Sequence, residues 1–124
     1  MLARYHIVRG KRDPGDPLPE GHRMDTRKHT HHVLRPDGDE VEKFLTDLSG
    51  AAFEHFAAAY LRTIERRFAA DRAPFDEIAE LAEAEDVYLG CNCPTAKQPQ
   101  VQHCHTVLAL GFMKKKYPKL HVVL

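Results

Sequence analysis

Apolar and polar positions alternate along this chain in two rhythms, and the change of rhythm marks the elements. Residues 3–9, Ala-Arg-Tyr-His-Ile-Val-Arg, are rich in β-branched and aromatic side chains and predict a short first strand. Pro14, Pro17 and Pro19 then fall within six residues, which excludes a helix and predicts a loop over 10–21. That loop is long for a compact domain. Residues 22–35 are strongly polar, and only 30–34 offer a candidate second strand. Pro36-Asp37-Gly38 reads as a turn, so 10–36 as a whole is expected to be a polar loop region.

From residue 39 the apolar spacing changes to three and four. Asp39 is a candidate cap for a helix running to about residue 48, with Val41, Phe44, Leu45 and Leu48 on one face. Ser49-Gly50 interrupts it. A longer helix is expected over 51–70, where Phe53, Phe56, Ala57, Tyr60, Leu61, Ile64 and Phe68 form one stripe. A third starts near Pro74 and buries Phe75, Ile78, Ala79 and Ala82.

The C-terminal part predicts the unit that carries the chemistry. Residues 87–91, Val-Tyr-Leu-Gly-Cys, are nearly continuously apolar, as in a strand buried on both faces. A loop with Pro94 and Pro99 follows. Residues 103–117 read as a helix whose last turns hold Lys114, Lys115 and Lys116, which suit the negative end of its dipole. Pro118 stops it, and residues 120–124 suggest a last strand. The fold class expected is therefore α/β. One domain spans 1–124, with a short, mostly parallel sheet, about four flanking helices and a strand-loop-helix-strand unit over 87–124.

Composition narrows the class. With 124 residues, 43% apolar and 29% charged, the chain resembles an ordinary globular domain long enough to bury its own core. No apolar run approaches the roughly 18 to 20 residues that cross a bilayer, and no membrane role is expected. Three cysteines leave at least one outside any internal pairing, which points to a reducing compartment, and a cytoplasmic location is expected. The net charge of zero hides three blocks. Residues 1–36 hold eight Lys/Arg against four Asp/Glu, and 87–124 hold five lysines and no acid. The middle block, 37–86, holds fourteen acids against five bases. The basic blocks carry eight of the nine histidines, so a fold that joins them would present a face attractive to anions. An acidic helical face over 76–86 would instead suit a basic protein partner.

The densest chemistry lies at Gly90-Cys91-Asn92-Cys93-Pro94 and Gln102-His103-Cys104-His105-Thr106. In open α/β sheets ligands gather beyond the carboxyl ends of strands, and a strand ending at Cys91 faces a helix starting near His103. Three readings stand side by side. Cys91, Cys93 and Cys104 with His103 would form a soft ligand set for Zn²⁺ or iron, although C-x-C-x10-C is not a standard finger spacing. Cys104, at a helix start between His103 and His105, would be a reactive thiol, with the histidines as acid and base. Buried cysteines also serve simply as small hydrophobes. Arg9, Arg12, Arg23 and Arg27, with Thr106, are candidates for holding a phosphate or carboxylate, because a guanidinium grips such groups in bidentate fashion. His29, His31 and His32 give a weaker signal. No Walker loop, GxGxxG, GxSxG or HExxH is present.

The order of these features resembles the family known as domain of unknown function 488. There a Phe-x-x-x-Tyr-like helix precedes a short apolar strand bearing a cysteine, and a Cys-His pair opens the next helix. The matching residues here are Phe56 and Tyr60, 87–93, and Cys104-His105 followed by Val107-Leu108-Ala109. At the start, Arg9, the Pro/Asp loop over 13–19 and Gly21-His22-Arg23 are similar. The likeness is strong over about 53–112. Thr106 stands where the family often has Arg, and 24–28 are polar where relatives carry an apolar strand. The resemblance implies a Rossmann-like α/β domain in the cytoplasm and supplies no reaction.

The function expected from these residues is a Cys/His-lined pocket that binds or processes a phosphate-bearing ligand, nucleotide or nucleic acid, with or without a metal. The alternative is a non-enzymatic interaction module working through the acidic face.

Overall fold

A computed structural model describes residues 1–124. Three parallel strands form the sheet in the order β1-β3-β2. They are β1 (Leu2–His6), β2 (His22–Asp25) and β3 (Val87–Cys91). Four helices, α1 (Gly38–Thr46), α2 (Gly50–Ala70), α3 (Ala73–Ala84) and α4 (His105–Lys116), complete a small α/β domain. β3 is the central strand, as its apolar run predicts: Val87, Leu89 and Gly90 are buried. His6 pairs with Cys91 and Asp25 with Gly90, so all three strands end at the same edge of the sheet.

The second strand is not where β-branched content places it. Residues 30–34 form turns, closed by Thr30 N–H to the Arg27 carbonyl and Arg35 N–H to the His32 carbonyl, both at 3.0 Å. The polar segment His22–Asp25 pairs with β3 instead. An edge strand has one neighbour and need not bury both faces, so a polar sequence suffices once β3 supplies the ladder. The 30–35 segment is nonetheless anchored. Leu34 is buried, and its carbonyl accepts from Tyr60 Oη at 2.7 Å. Arg67 Nη1 donates to the carbonyls of Val33 (2.8 Å) and Arg35 (2.7 Å). Side chains of α2 thus replace the missing strand partner for these backbone groups.

The helices follow their stripes closely, with shifted ends. Asp37, not Asp39, caps α1, accepting from the N–H groups of Asp39 (2.9 Å) and Glu40 (3.2 Å). α1 ends at Thr46, which leaves Leu48 exposed in the connection rather than on the helix face. Ser49 caps α2 through Ala52 N–H at 3.1 Å. On α2, Phe56, Tyr60 and Ile64 are buried, while Phe53 turns aside to stack on His103. On α3 the buried set is the expected Phe75, Ile78, Ala79 and Ala82. The last strand shrinks to one parallel bridge between Leu2 and Val122, made by Leu2 N–H to the His121 carbonyl and Val123 N–H to the Leu2 carbonyl, each 2.9 Å. Fifteen buried apolar residues from β1, β3, α2, α3, α4 and the adjoining loops form the core, among them Leu2, Tyr60, Ile64, Phe75, Leu89, Leu110 and Met113. Burying each large apolar side chain contributes about 1.5–3 kcal/mol before entropy is counted. No helix is long and apolar enough to cross a membrane.

Candidate metal centre

Three sulfurs meet at the shared edge of the sheet. Cys91 is the last residue of β3, Cys93 lies two residues on, and Cys104 is the N-cap of α4. Their Sγ atoms all lie within 4.8 Å of one another. Thiolates held at about 2.3 Å from one tetrahedral Zn²⁺ sit roughly 3.8 Å apart, so a small contraction closes the set on an ion. These three cysteines could hold a metal ion. All three are free thiols.

The chain supports the sulfurs with a set of donors. Thr106 Oγ1 donates to Cys104 Sγ at 3.1 Å and accepts from Arg4 Nε at 2.9 Å. Arg4 Nη2 also donates to the Cys93 carbonyl at 2.6 Å. Gln98 Nε2 donates to Cys93 Sγ at 3.3 Å. On the other side, the Thr26 hydroxyl donates to the Gly90 carbonyl at 2.9 Å. Its oxygen is then left to accept from His105 Nε2, also at 2.9 Å. That assignment puts the proton on Nε2 and leaves Nδ1, 4.0 Å from Cys104 Sγ, as an acceptor facing the thiol.

Electrostatics divides the sulfurs. Hydrogen bonds from Cys91 and Cys93 hold the Cys104 thiol well below its ordinary range despite burial. The same bonds raise the other two, and Cys93 is pushed up to about 11. A divalent cation would draw all three as thiolates.

A cavity of about 640 Å³ opens over this edge. It is lined by the segments that follow the strands and by residues of α1 and α2. Of the expected site residues, Cys91, Cys93, Cys104, His103, His105 and Arg9 line it. His103 does not join the sulfur group. Its ring stacks on Phe53 with centroids 4.0 Å apart and planes 10° from parallel, so the fourth ligand expected there is not supplied. Thr106 is fully buried, and its hydroxyl is spent between Arg4 and Cys104, so it steadies sulfur rather than facing a ligand.

Arg12 and Arg23 lie outside the cavity. Arg12 bonds the His6 carbonyl (2.5 Å) and the Asp16 carbonyl (2.6 Å), tying down the proline-rich loop. Arg23 bonds the Pro19 carbonyl at 2.9 Å. His29 lines the cavity, whereas His31 and His32 line a second hollow with Met24 and Glu77. On the acidic face, Glu80, Glu83, Glu85 and Asp86 are exposed, while Asp76 is engaged by Arg72 and Tyr117.

Arg4, Thr26, Arg27 and Gln98 complete the surroundings. Arg4 carries a recognisable signal, a charge inside a strand that flanks the buried one. Thr26 and Gln98 carry none, since both look like ordinary loop residues until the fold closes. Arg27, expected with the other loop arginines to hold an anion, does line the cavity but is fixed by the Asp25 carboxylate, at 2.7 Å from Nη2 and 3.0 Å from Nε. That bond holds the Asp25 carboxyl below its usual range. Compared with known proteins, the chain matches no family model, no curated protein and no solved structure.

Proposed function

We propose that the chain binds a thiophilic divalent metal, Zn²⁺ or Fe²⁺, on Cys91, Cys93 and Cys104, and that this centre serves a cavity that binds or processes a phosphate-bearing ligand. The observation that carries the reading is the convergence of three sulfurs from two elements within 4.8 Å. Three thiolates are a soft donor set, which suits zinc and iron and not Mg²⁺ or Ca²⁺. Structural zinc sites close with four protein ligands, whereas working sites keep one position for water or substrate. Three cysteines without a fourth side chain favour the second kind. An ion there would act as a Lewis acid on an oxygen of the ligand. The chain's own residues support that role: Thr106 and Gln98 donate to sulfur, and His105 Nδ1 would accept the thiol proton released on loading.

Elemental analysis of protein purified without a histidine tag, followed by Co²⁺ replacement, tests the reading. About one ion per chain and a thiolate-to-cobalt absorption band are expected. Protein that neither retains nor takes up a thiophilic metal under reducing conditions would overturn it.

A second reading rests on the Thr106 hydroxyl bond to Cys104 Sγ, 3.1 Å. There the metal-free Cys104 thiolate is the nucleophile, and His105, whose Nδ1 faces its sulfur, moves the proton. Fast alkylation of Cys104 at neutral pH, in protein that binds no metal, selects it.

A further inference from the structure

The sulfurs occupy only one part of the cavity, and the remainder has a composition of its own. No Asp or Glu lines it. Arg27 is matched by Asp25 and Lys28 by Glu42, but Arg9 and Lys97 are exposed, line the cavity and pair with no carboxylate. Arg9 lies three residues beyond β1 and Lys97 six beyond β3, so both come from the segments that leave the strand ends, and the Lys97 charge also reaches Glu42 of α1. The apolar lining comes from Val41, Phe44 and Leu45 of α1, backed by Phe56 of α2, whose ring stacks on Phe44 with centroids 5.4 Å apart. A cavity of about 640 Å³ lies within the range that encloses one small molecule, about 300–1,000 Å³. A nucleic-acid strand would need a run of cations along an open groove, and two cations in a concave site do not provide one.

From this we infer that the ligand is a phosphate monoester of a flat apolar ring system, of about mononucleotide size. Its phosphate lies toward Arg9 and Lys97 and its ring lies against Val41, Phe44 and Leu45. The inference deepens the proposed function and rests on it for the phosphate-bearing class, but its binding contacts are side chains other than the cysteines. The two halves of such a ligand reinforce each other. The ring anchors the phosphate beside the two cations, and the cations orient the ring.

The test uses 1-naphthyl phosphate as probe, compared with inorganic phosphate, 1-naphthol and a single-stranded oligodeoxynucleotide. Equilibrium dialysis at low salt, with metal content measured on the same samples, reads the result. We expect 1-naphthyl phosphate to bind at least 10-fold more tightly than either half. The double variant Arg9→Gln, Lys97→Gln should lose that advantage while its affinity for 1-naphthol stays unchanged. Leu45→Asn should weaken both naphthyl compounds. Both substituted sets are exposed or half-buried, so the fold should survive, and circular dichroism checks it. If metal is held but 1-naphthyl phosphate binds no better than phosphate, this inference fails and the metal centre stands. If no metal is held and the ring-plus-phosphate advantage persists, the metal centre fails and the inference stands. Tighter binding of the oligonucleotide than of 1-naphthyl phosphate overturns the inference in favour of a polymer ligand.

Discussion

Thr26 Oγ1 and His105 Nε2 lie 2.9 Å apart and join the end of the edge strand to the first residue of α4. Both residues are buried, and they are 79 positions apart in the chain. The contact fixes which ring nitrogen of His105 faces Cys104. Thr26→Val keeps the shape and removes the oxygen, leaving a buried N–H without a partner. A loss of about 1–3 kcal/mol is expected from chemical denaturation. If the bond is dispensable, the midpoint will not move.

The cysteines and His103 should separate by metal affinity. Cys91→Ser, Cys93→Ser and Cys104→Ser should each weaken zinc binding more than Thr106→Val does. For that supporting residue a loss of about 10- to 100-fold is expected. His103→Ala should leave zinc affinity within a few-fold of the parent, because its ring is committed to Phe53. Competition with a chromophoric chelator measures all five. A large loss in His103→Ala would show a rearranged, four-ligand site.

His32 makes stability depend on pH. Burial lowers its pKa from the ordinary 6.5 to about 4. Its Nδ1 accepts the Leu34 N–H at 3.1 Å, which requires the neutral ring. Between pH 4 and 6.5 the unfolded chain binds the proton and the folded chain does not, so stability rises with pH across this window. It is fully present above about pH 6.5 and is lost as pH falls toward 4, by on the order of 2–3 kcal/mol. His32→Asn, whose Oδ1 replaces Nδ1 as acceptor, should flatten the curve between these limits. An unchanged slope would assign the dependence to other groups.

Gly21 sits immediately before β2 with φ +132°. A Cβ there would lie 2.6 Å from the Asp86 carbonyl oxygen, a backbone atom that cannot swing away. That carbonyl also accepts the His22 N–H at 2.8 Å, the bond that starts the β2 ladder. Gly21→Ala should therefore cost about 2–4 kcal/mol, combining a strained backbone with overpacking. Gly10→Ala is the control: its φ is +81° but no atom lies within 4 Å of the added Cβ, so only the backbone term applies. Equal thermal shifts in the two variants would remove the steric argument.

Local patterns in the sequence determined much of this molecule. The stripe at Phe56, Tyr60 and Ile64, the set Phe75, Ile78, Ala79 and Ala82, and the apolar run over 87–91 each place an element without knowledge of its neighbours. Periodicity reports burial on one face, and burial is what these segments have in common. The position of the cysteines at a strand end and a helix start was also legible, because α/β sheets collect ligands at that edge. What only the tertiary structure decided are the features set by a partner distant in the chain. His22–Asp25 is a strand because β3 offers it an edge, and residues 30–34 are not because Tyr60 and Arg67 satisfy their carbonyls. Arg4 reaches Thr106 across 102 positions, and Phe53 takes the ring of His103 away from the sulfurs. Such pairings depend on where the chain returns in space, and neither residue of a pair carries that information alone.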